Sequence, residues 1–220
     1  MNGKMIFTGN NPDDMSSITA KDLGTKGREI IIQLSSKDLV YQILMLSESM
    51  QEAIAQNGYS EDAGQALFLF ISEISNNALK ARGSLELYNK YGTFEHFAAS
   101  YPNHRDIINK VIEKNYAGTV INVKWKLAGD CLLLEISNNT ALNDYFEQRV
   151  SEAMNKPPNI TEEFIEQLSS GDSIFDTKAS GIGMGLSMAS SYAVIAGGSV
   201  EYDKSKDGWT TFRLRLNKQN

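Results

Sequence analysis

The strongest constraint in this chain is the segment "TVINVKWKLAGDCLLLEIS" (119–137). In its first half Ile121, Val123, Trp125 and Leu127 alternate with Asn122, Lys124 and Lys126. Successive side chains of a strand point to opposite faces, so this period of two predicts a strand with one apolar face and one polar face. Ala128-Gly129-Asp130 carries hairpin turn chemistry, and "CLLLEIS" is the returning strand. A second alternation lies near the end of the chain. There Thr210, Phe212, Leu214 and Leu216 share one face, opposite Thr211, Arg213 and Arg215. Together with "REIIIQLS" and "SVEYD", these runs predict a mixed, largely antiparallel sheet with one covered face.

Two amphipathic helices are available to cover it. In 37–58, Leu39, Val40, Ile43, Leu46, Met50 and Ile54 recur at three- and four-residue steps, and Asn57-Gly58 ends the pattern. Ser36 is placed as its N-cap. In 62–82, Leu67, Phe70, Ile71, Ile74, Ala78 and Ala81 form the stripe, and Gly83 is read as the stop. Another helix is expected near "TEEFIEQLSS", and a further one follows the Gly-rich "GIGMG" and stops at Gly197-Gly198. The expected fold class is α+β: a two-layer sandwich with helices on one face of the sheet. Residues 1–27 read as a leader or an arm that docks on a partner. Residues 28–220 read as one domain, with an insertion at 84–118 and a long polar segment at 141–180.

Composition narrows the function. The net charge is −6 and no basic patch dominates, which argues against nucleic-acid partners. The apolar runs are far shorter than a bilayer span, and the first residues lack an apolar signal core. The single cysteine, Cys131, excludes an internal disulfide framework and fits a reducing cytoplasm. Its place in an apolar strand favours a packing role.

Two stretches could carry chemistry. In "SEISNNALKA", Glu73, Asn77 and Lys80 fall at i, i+4 and i+7, on one helix face beside the apolar stripe. An acid, an amide oxygen and a cation on one edge suit a metal–phosphate group, since Mg²⁺ prefers hard oxygen ligands. A solvated helix edge with a Glu–Lys pair has the same spacing. In "KASGIGMGLSMAS", Gly181, Gly183 and Gly185 alternate before a helix start. Glycines permit close backbone approach, and free N–H groups at a helix start attract anions. A flexible linker before a helix is the plainer reading.

Taken together, the two stretches resemble the ATP-binding domain of the histidine-kinase-like ATPases (the Bergerat or GHKL fold), closest in pattern to sensor histidine kinases. "EISNNALKA" is similar to that family's N box, and "GIGMGLSMASSYAVIAGGSVEYDKSKDGWTTFRLRL" to its G2 box and the tail after it. The resemblance covers roughly 38–82 and 119–216. It implies ATP and Mg²⁺ held between the N-box helix and a lid formed by 141–180. Asn77 is expected on Mg²⁺, Glu73 as the acid that orients or activates the attacking group, and Lys80 on phosphate. Gly181, Gly183, Gly185 and Leu186 are expected to offer backbone amides to the phosphates, with Lys178 in the lid as a further phosphate partner. Thr210 is expected near the adenine.

The family's adenine-reading Asp-x-Gly-x-Gly is replaced here by Asn138-Asn139-Thr140-Ala141-Leu142. An asparagine carbonyl still accepts a hydrogen bond, but without charge assistance. Neither His96 nor His104 lies in a phospho-acceptor setting. The resemblance therefore implies kinase or transferase activity in two-component-type signalling, directed at a separate protein phospho-acceptor, with a homodimer as an option. The alternative is a degenerate ATPase fold that regulates by binding a protein, without nucleotide turnover. Trp125 and Trp209 read as packing residues.

Overall fold

The computed structural model describes residues 4–9, 18–34, 39–116, 118–155, 184–203 and 207–218. These form an α+β sandwich built on one six-stranded sheet. The strands are β1 (Lys4–Gly9), β2 (Glu29–Leu34), β3 (Ile121–Ala128), β4 (Cys131–Asn138), β5 (Ser199–Asp203) and β6 (Thr210–Asn217), in spatial order β1-β2-β3-β4-β6-β5. β1 pairs with β2 in parallel, and every other neighbouring pair is antiparallel. The hairpin expected at 128–130 joins β3 to β4, with Gly129 at φ 65° as the turn requires.

The period-two reading holds residue by residue. Ile121, Val123, Trp125 and Leu127 of β3 are buried, as are Leu132, Leu134 and Ile136 of β4 and Phe212, Leu214 and Leu216 of β6. Trp125 is fully buried, and its indole Nε1 donates to the Leu23 carbonyl at 2.8 Å. A buried indole thus keeps its one polar atom paired. Leu23 belongs to α1 (Ala20–Leu23), a single turn capped by reciprocal bonds between Thr19 and Asp22. Neither β1 nor α1 was expected from the sequence, where 1–27 reads as a leader or arm.

The helical layer comprises α2 (Leu39–Gln56), α3 (Glu61–Tyr91) and α7 (Met184–Ile195). Leu39, Ile43, Leu46, Met50 and Ile54 of α2 are buried against the core. Asn57-Gly58 ends α2, with Gly58 at φ 76°. α3 starts at Ser60, whose hydroxyl accepts from the Ala63 amide at 3.2 Å.

α3 corrects the expectation at Gly83. The helix does not stop there; it runs 31 residues to Tyr91 and ends at Gly92, φ 81°. Gly83 instead marks a close approach. A Cβ at that position would lie 2.9 Å from Ile112 Cγ1 and 3.0 Å from its Cα. Ile112 belongs to α5 (His104–Tyr116), which with α4 (Phe94–Ser100) makes up most of the segment read as an insertion. Leu87, Phe97, Ile108 and Ile112 form a second small core, separate from the main one. The insertion is therefore a helical appendage seated on the C-terminal half of α3. Its first residues, 84–91, belong to α3 itself.

α6 (Asp144–Asn155) lies within the expected lid. Phe146, Val150 and Ala153 are its buried face, and Asn143 Oδ1 accepts from the Phe146 amide at 3.1 Å. The expected N-cap at Ser36, the expected helix at 161–170 and the rest of the lid lie outside the described residues. Cys131 sits at the start of β4 and is half-buried, on the outer side of the sheet rather than in the core.

Candidate functional site

The alternation that builds the sheet also builds the site. Along β4 the inward positions are Leu132, Leu134, Ile136 and then Asn138; along β6 they are Thr210, Phe212, Leu214 and Leu216. Asn138 and Thr210 are register partners, so the apolar inner face ends in a polar pair. Over that end crosses the middle of α3. Its Ile74, Asn77, Ala78, Lys80, Ala81 and Ser84 close a cavity with Asn138, Thr210 and Phe212. Leu142, Phe146 and Val150 form the remaining wall. Four residues singled out in the sequence (Asn77, Lys80, Asn138 and Thr210) thus meet at one place. Positions 77, 81 and 84 share a helix face by their spacing.

Asn138 and Asn139, adjacent at the end of β4, have different roles. Asn139 Oδ1 accepts from the Val120 amide at 2.9 Å, and its Nδ2 donates to the Gly118 carbonyl at 3.0 Å. Its side chain clamps the chain entering β3 and is not among the cavity's lining residues. Asn138 lines the cavity, is 5% exposed, and its Nδ2 is fully buried without a hydrogen-bond partner among the described residues. A buried amide left unpaired costs about 1–3 kcal/mol, so a fold that keeps one invites a ligand to satisfy it. Thr140 Oγ1 is likewise buried and unpartnered. The Thr210 hydroxyl is already used: it donates to the Thr140 carbonyl at 2.6 Å and pins the chain leaving β4.

Behind Asn77 stands Glu73. Asn77 Nδ2 donates to Glu73 Oε1 at 2.9 Å. That bond orients the Asn77 amide, and the structure gives its Oδ1 no protein donor among the described residues. Burial pushes the Glu73 carboxyl above its ordinary range, against the hydrogen bond from Asn77 and the charge of Lys80, which both pull it down. The same carboxylate rests on the first turn of α7. A Cβ on Gly185 would lie 2.0 Å from Glu73 Oε2, so only glycine leaves room for it. Leu186, next in α7, is fully buried as a core residue, and its amide belongs to the first turn, where N–H groups lack helical partners.

Seven of the eleven residues expected at the site are therefore accounted for around α3 or at the start of α7. Asn139 is turned to the backbone, and Lys178, Gly181 and Gly183 lie outside the described residues. Sequence reasoning missed Ser84, Leu142, Phe146, Val150 and Phe212 as lining residues. Ser84 was hidden by the premature helix stop at Gly83. The α6 residues carried a signal in the four-residue step from Phe146 to Val150 after a capping Asn143.

The cavity is narrow, about 40 Å³. Among the described residues, no cluster of three His, Cys, Asp or Glu side chains could hold a metal, and no helix is long and apolar enough to cross a membrane. Comparison with known proteins gives no match: no family model, curated protein or solved structure aligns with this chain.

Proposed function

We propose that this chain is an ATP-binding, histidine-kinase-like domain that transfers a phosphoryl group to a separate signalling protein. One observation carries the reading: Asn77, Lys80 and the unpartnered amide of Asn138 converge on a single cavity at the polar end of the sheet. Spacing puts Asn77 and Lys80 on one helix face, and the family resemblance implied that Asn138 would join them.

The residues fit the roles. Asn138 supplies a desolvated hydrogen-bonding edge among apolar walls, which suits a flat heterocycle more than a charged group. Asn77 Oδ1, left without a protein donor, is the hard oxygen that would hold Mg²⁺. The ion, when bound, neutralises phosphate charge. Lys80 adds positive charge on the same face, and the first turn of α7 presents amides for phosphate oxygens. Glu73 lies one hydrogen bond behind Asn77, and its raised proton affinity suits a group that takes the proton from an attacking hydroxyl or imidazole. Phosphoryl transfer depends mainly on positioning and charge stabilisation, and these side chains supply both. A reducing, cytoplasmic setting accords with the single cysteine.

The test is calorimetric titration with Mg²⁺-ATP, with Asn77→Ala as control, followed by transfer of labelled γ-phosphate to candidate acceptor proteins. Absence of binding at millimolar ATP overturns the proposal.

One observation favours a second reading, binding without turnover. A cavity of about 150 Å³ is needed to take benzene, and this one is about 40 Å³. A purine enters only after Leu142, Phe146 and Val150 move aside. In that reading the α4–α5 appendage is the working surface. Its removal (93–116) abolishes activity in cells, whereas Asn77→Ala does not.

A further inference from the structure

Asn138 has the unusual property of being buried and unbound at once. Its Nδ2 is fully enclosed without an acceptor, and no donor among the described residues reaches its Oδ1. Among the described residues, no hydrogen bond therefore selects which way round the amide lies. Asn139, its neighbour, is the contrast: a half-turn of that amide would break both the bond from the Val120 amide and the bond to the Gly118 carbonyl.

This freedom has a chemical consequence. A carboxylate offers acceptors only, whereas an amide offers an acceptor and a donor side by side. Adenine presents the amino group at C6 as donor, beside N1 as acceptor. Hypoxanthine and guanine present the reverse: O6 accepts and N1–H donates. A carboxylate accepts from the single donor of either pattern and sets its second oxygen against an acceptor. An amide that turns freely makes two hydrogen bonds to either.

The other polar groups at the cavity do not restore the choice. Thr210 Oγ1 is committed to the Thr140 carbonyl, and Asn77 Nδ2 to Glu73. The hydroxyl of Ser84 can donate or accept, so it suits both base types.

We propose that this site takes 6-oxo purine nucleotides as well as adenine nucleotides, with Asn138 as the residue that leaves the choice open. The proposal rests on the nucleotide-binding reading given above and specifies its substrate class. It makes the Asn138 amide the shared anchor of both base types: an apolar side chain there removes the same two hydrogen bonds from each.

The test is calorimetric titration of the full chain with Mg²⁺-ATP, Mg²⁺-ITP and Mg²⁺-GTP. ITP differs from ATP at C6 and N1 without adding the 2-amino group of GTP. The wild-type chain is expected to bind ATP and ITP within about tenfold of each other, because each forms two neutral hydrogen bonds to the amide. Asn138→Leu should weaken ATP and ITP alike, by roughly tenfold or more each, since both lose the same two hydrogen bonds. A wild-type preference for ATP above about tenfold overturns the inference and leaves nucleotide binding standing. Unchanged binding of either nucleotide by Asn138→Leu overturns the assignment to this residue. Failure of the wild type to bind any of the three at millimolar concentration overturns the inference together with the reading beneath it.

Discussion

Glu73, under the helical layer, and Glu135, on the outer face of β4, show two ways of placing a carboxylate in one fold. Glu135 is saturated. It is hydrogen-bonded to Lys124 at 2.5 Å and to Arg213 at 2.9 Å, and Arg213 reaches on to Asp203 at 3.0 Å. Partial burial pushes its carboxyl up, but the bonds and charges of Lys124 and Arg213 together outweigh this and hold it below the usual range. Glu73 has one hydrogen bond, from Asn77, and burial leaves its carboxyl raised. The difference extends to the surroundings. The outer-face network ties β3, β4, β6 and β5 together, whereas at the end of β4 the Asn138 amide and the Thr140 hydroxyl remain unpaired among the described residues. Glu135 is thus held by charged partners on two neighbouring strands, whereas the cavity-lining Asn138 keeps an unpaired donor.

If that contrast is sound, the inner centre should govern binding and the outer one stability. The largest effect belongs to Asn77→Ala. It should lower Mg²⁺-nucleotide affinity by about a hundredfold or more, as loss of a direct metal ligand does, while circular dichroism and melting temperature change little. A variant that binds as well as wild type would break the comparison at its functional end.

Gly83→Ala tests a position outside both centres. Its Cβ meets the backbone of Ile112, which cannot step aside as a flexible side chain would. Denaturant unfolding should show a loss of about 1–3 kcal/mol. No loss would mean that α5 is not held at the distance described.

The two carboxylates can then be set against each other by pH. Glu135 has a depressed carboxyl, so its contribution to stability is present above the unfolded-state value and is lost as pH falls through the folded value. Glu135→Gln should lower the melting temperature at neutral pH by about 2–4 °C, and the gap should close on acidification. Glu73 has the opposite sign. A raised carboxyl favours the fold below the unfolded-state value, and this advantage disappears as pH climbs through the folded value. Glu73→Gln should therefore raise the melting temperature at neutral pH by about 1–3 °C, with the gap again closing in acid, while phosphoryl transfer is lost. Parallel melting curves for both variants from neutral pH into acid read out both signs, and equal signs would refute the contrast.

Much of this was legible in the sequence because strands write their faces with a period of two. The β3–β4 hairpin, the inner face of β6 and the apolar stripes of α2 and α3 follow directly from that rule and its helical counterpart. Even the choice between Asn138 and Asn139 was there in parity: 132, 134 and 136 point inward, so 138 does too. What escaped were features whose cause lies elsewhere in the chain. Gly83 looks like a helix stop until Ile112, remote in sequence, is placed against it. β1 escaped because its alternation of half-buried Met5 and Phe7 about exposed Ile6 is short and set among polar residues. Ser84 and Phe146 escaped because a cavity wall shared between an internal helix and a distant loop leaves no local pattern.

The uninterrupted length of α3 has a consequence of phase. Asn77, Lys80 and Ser84 face the cavity, and Leu87 and Tyr91 on the same helix contact the appendage. Tyr88, between them, stacks on Tyr145 at 4.8 Å and meets Phe146, a cavity wall residue, edge-on at 5.8 Å. Each residue of a helix advances about 100° around its axis. The angular position of the appendage about the cavity is therefore set by counting residues along one rod. A single residue inserted between Ser84 and Leu87 would swing Leu87, Tyr88 and everything beyond by about 100°, unseating the aromatic stack while leaving every residue of the cavity floor in place.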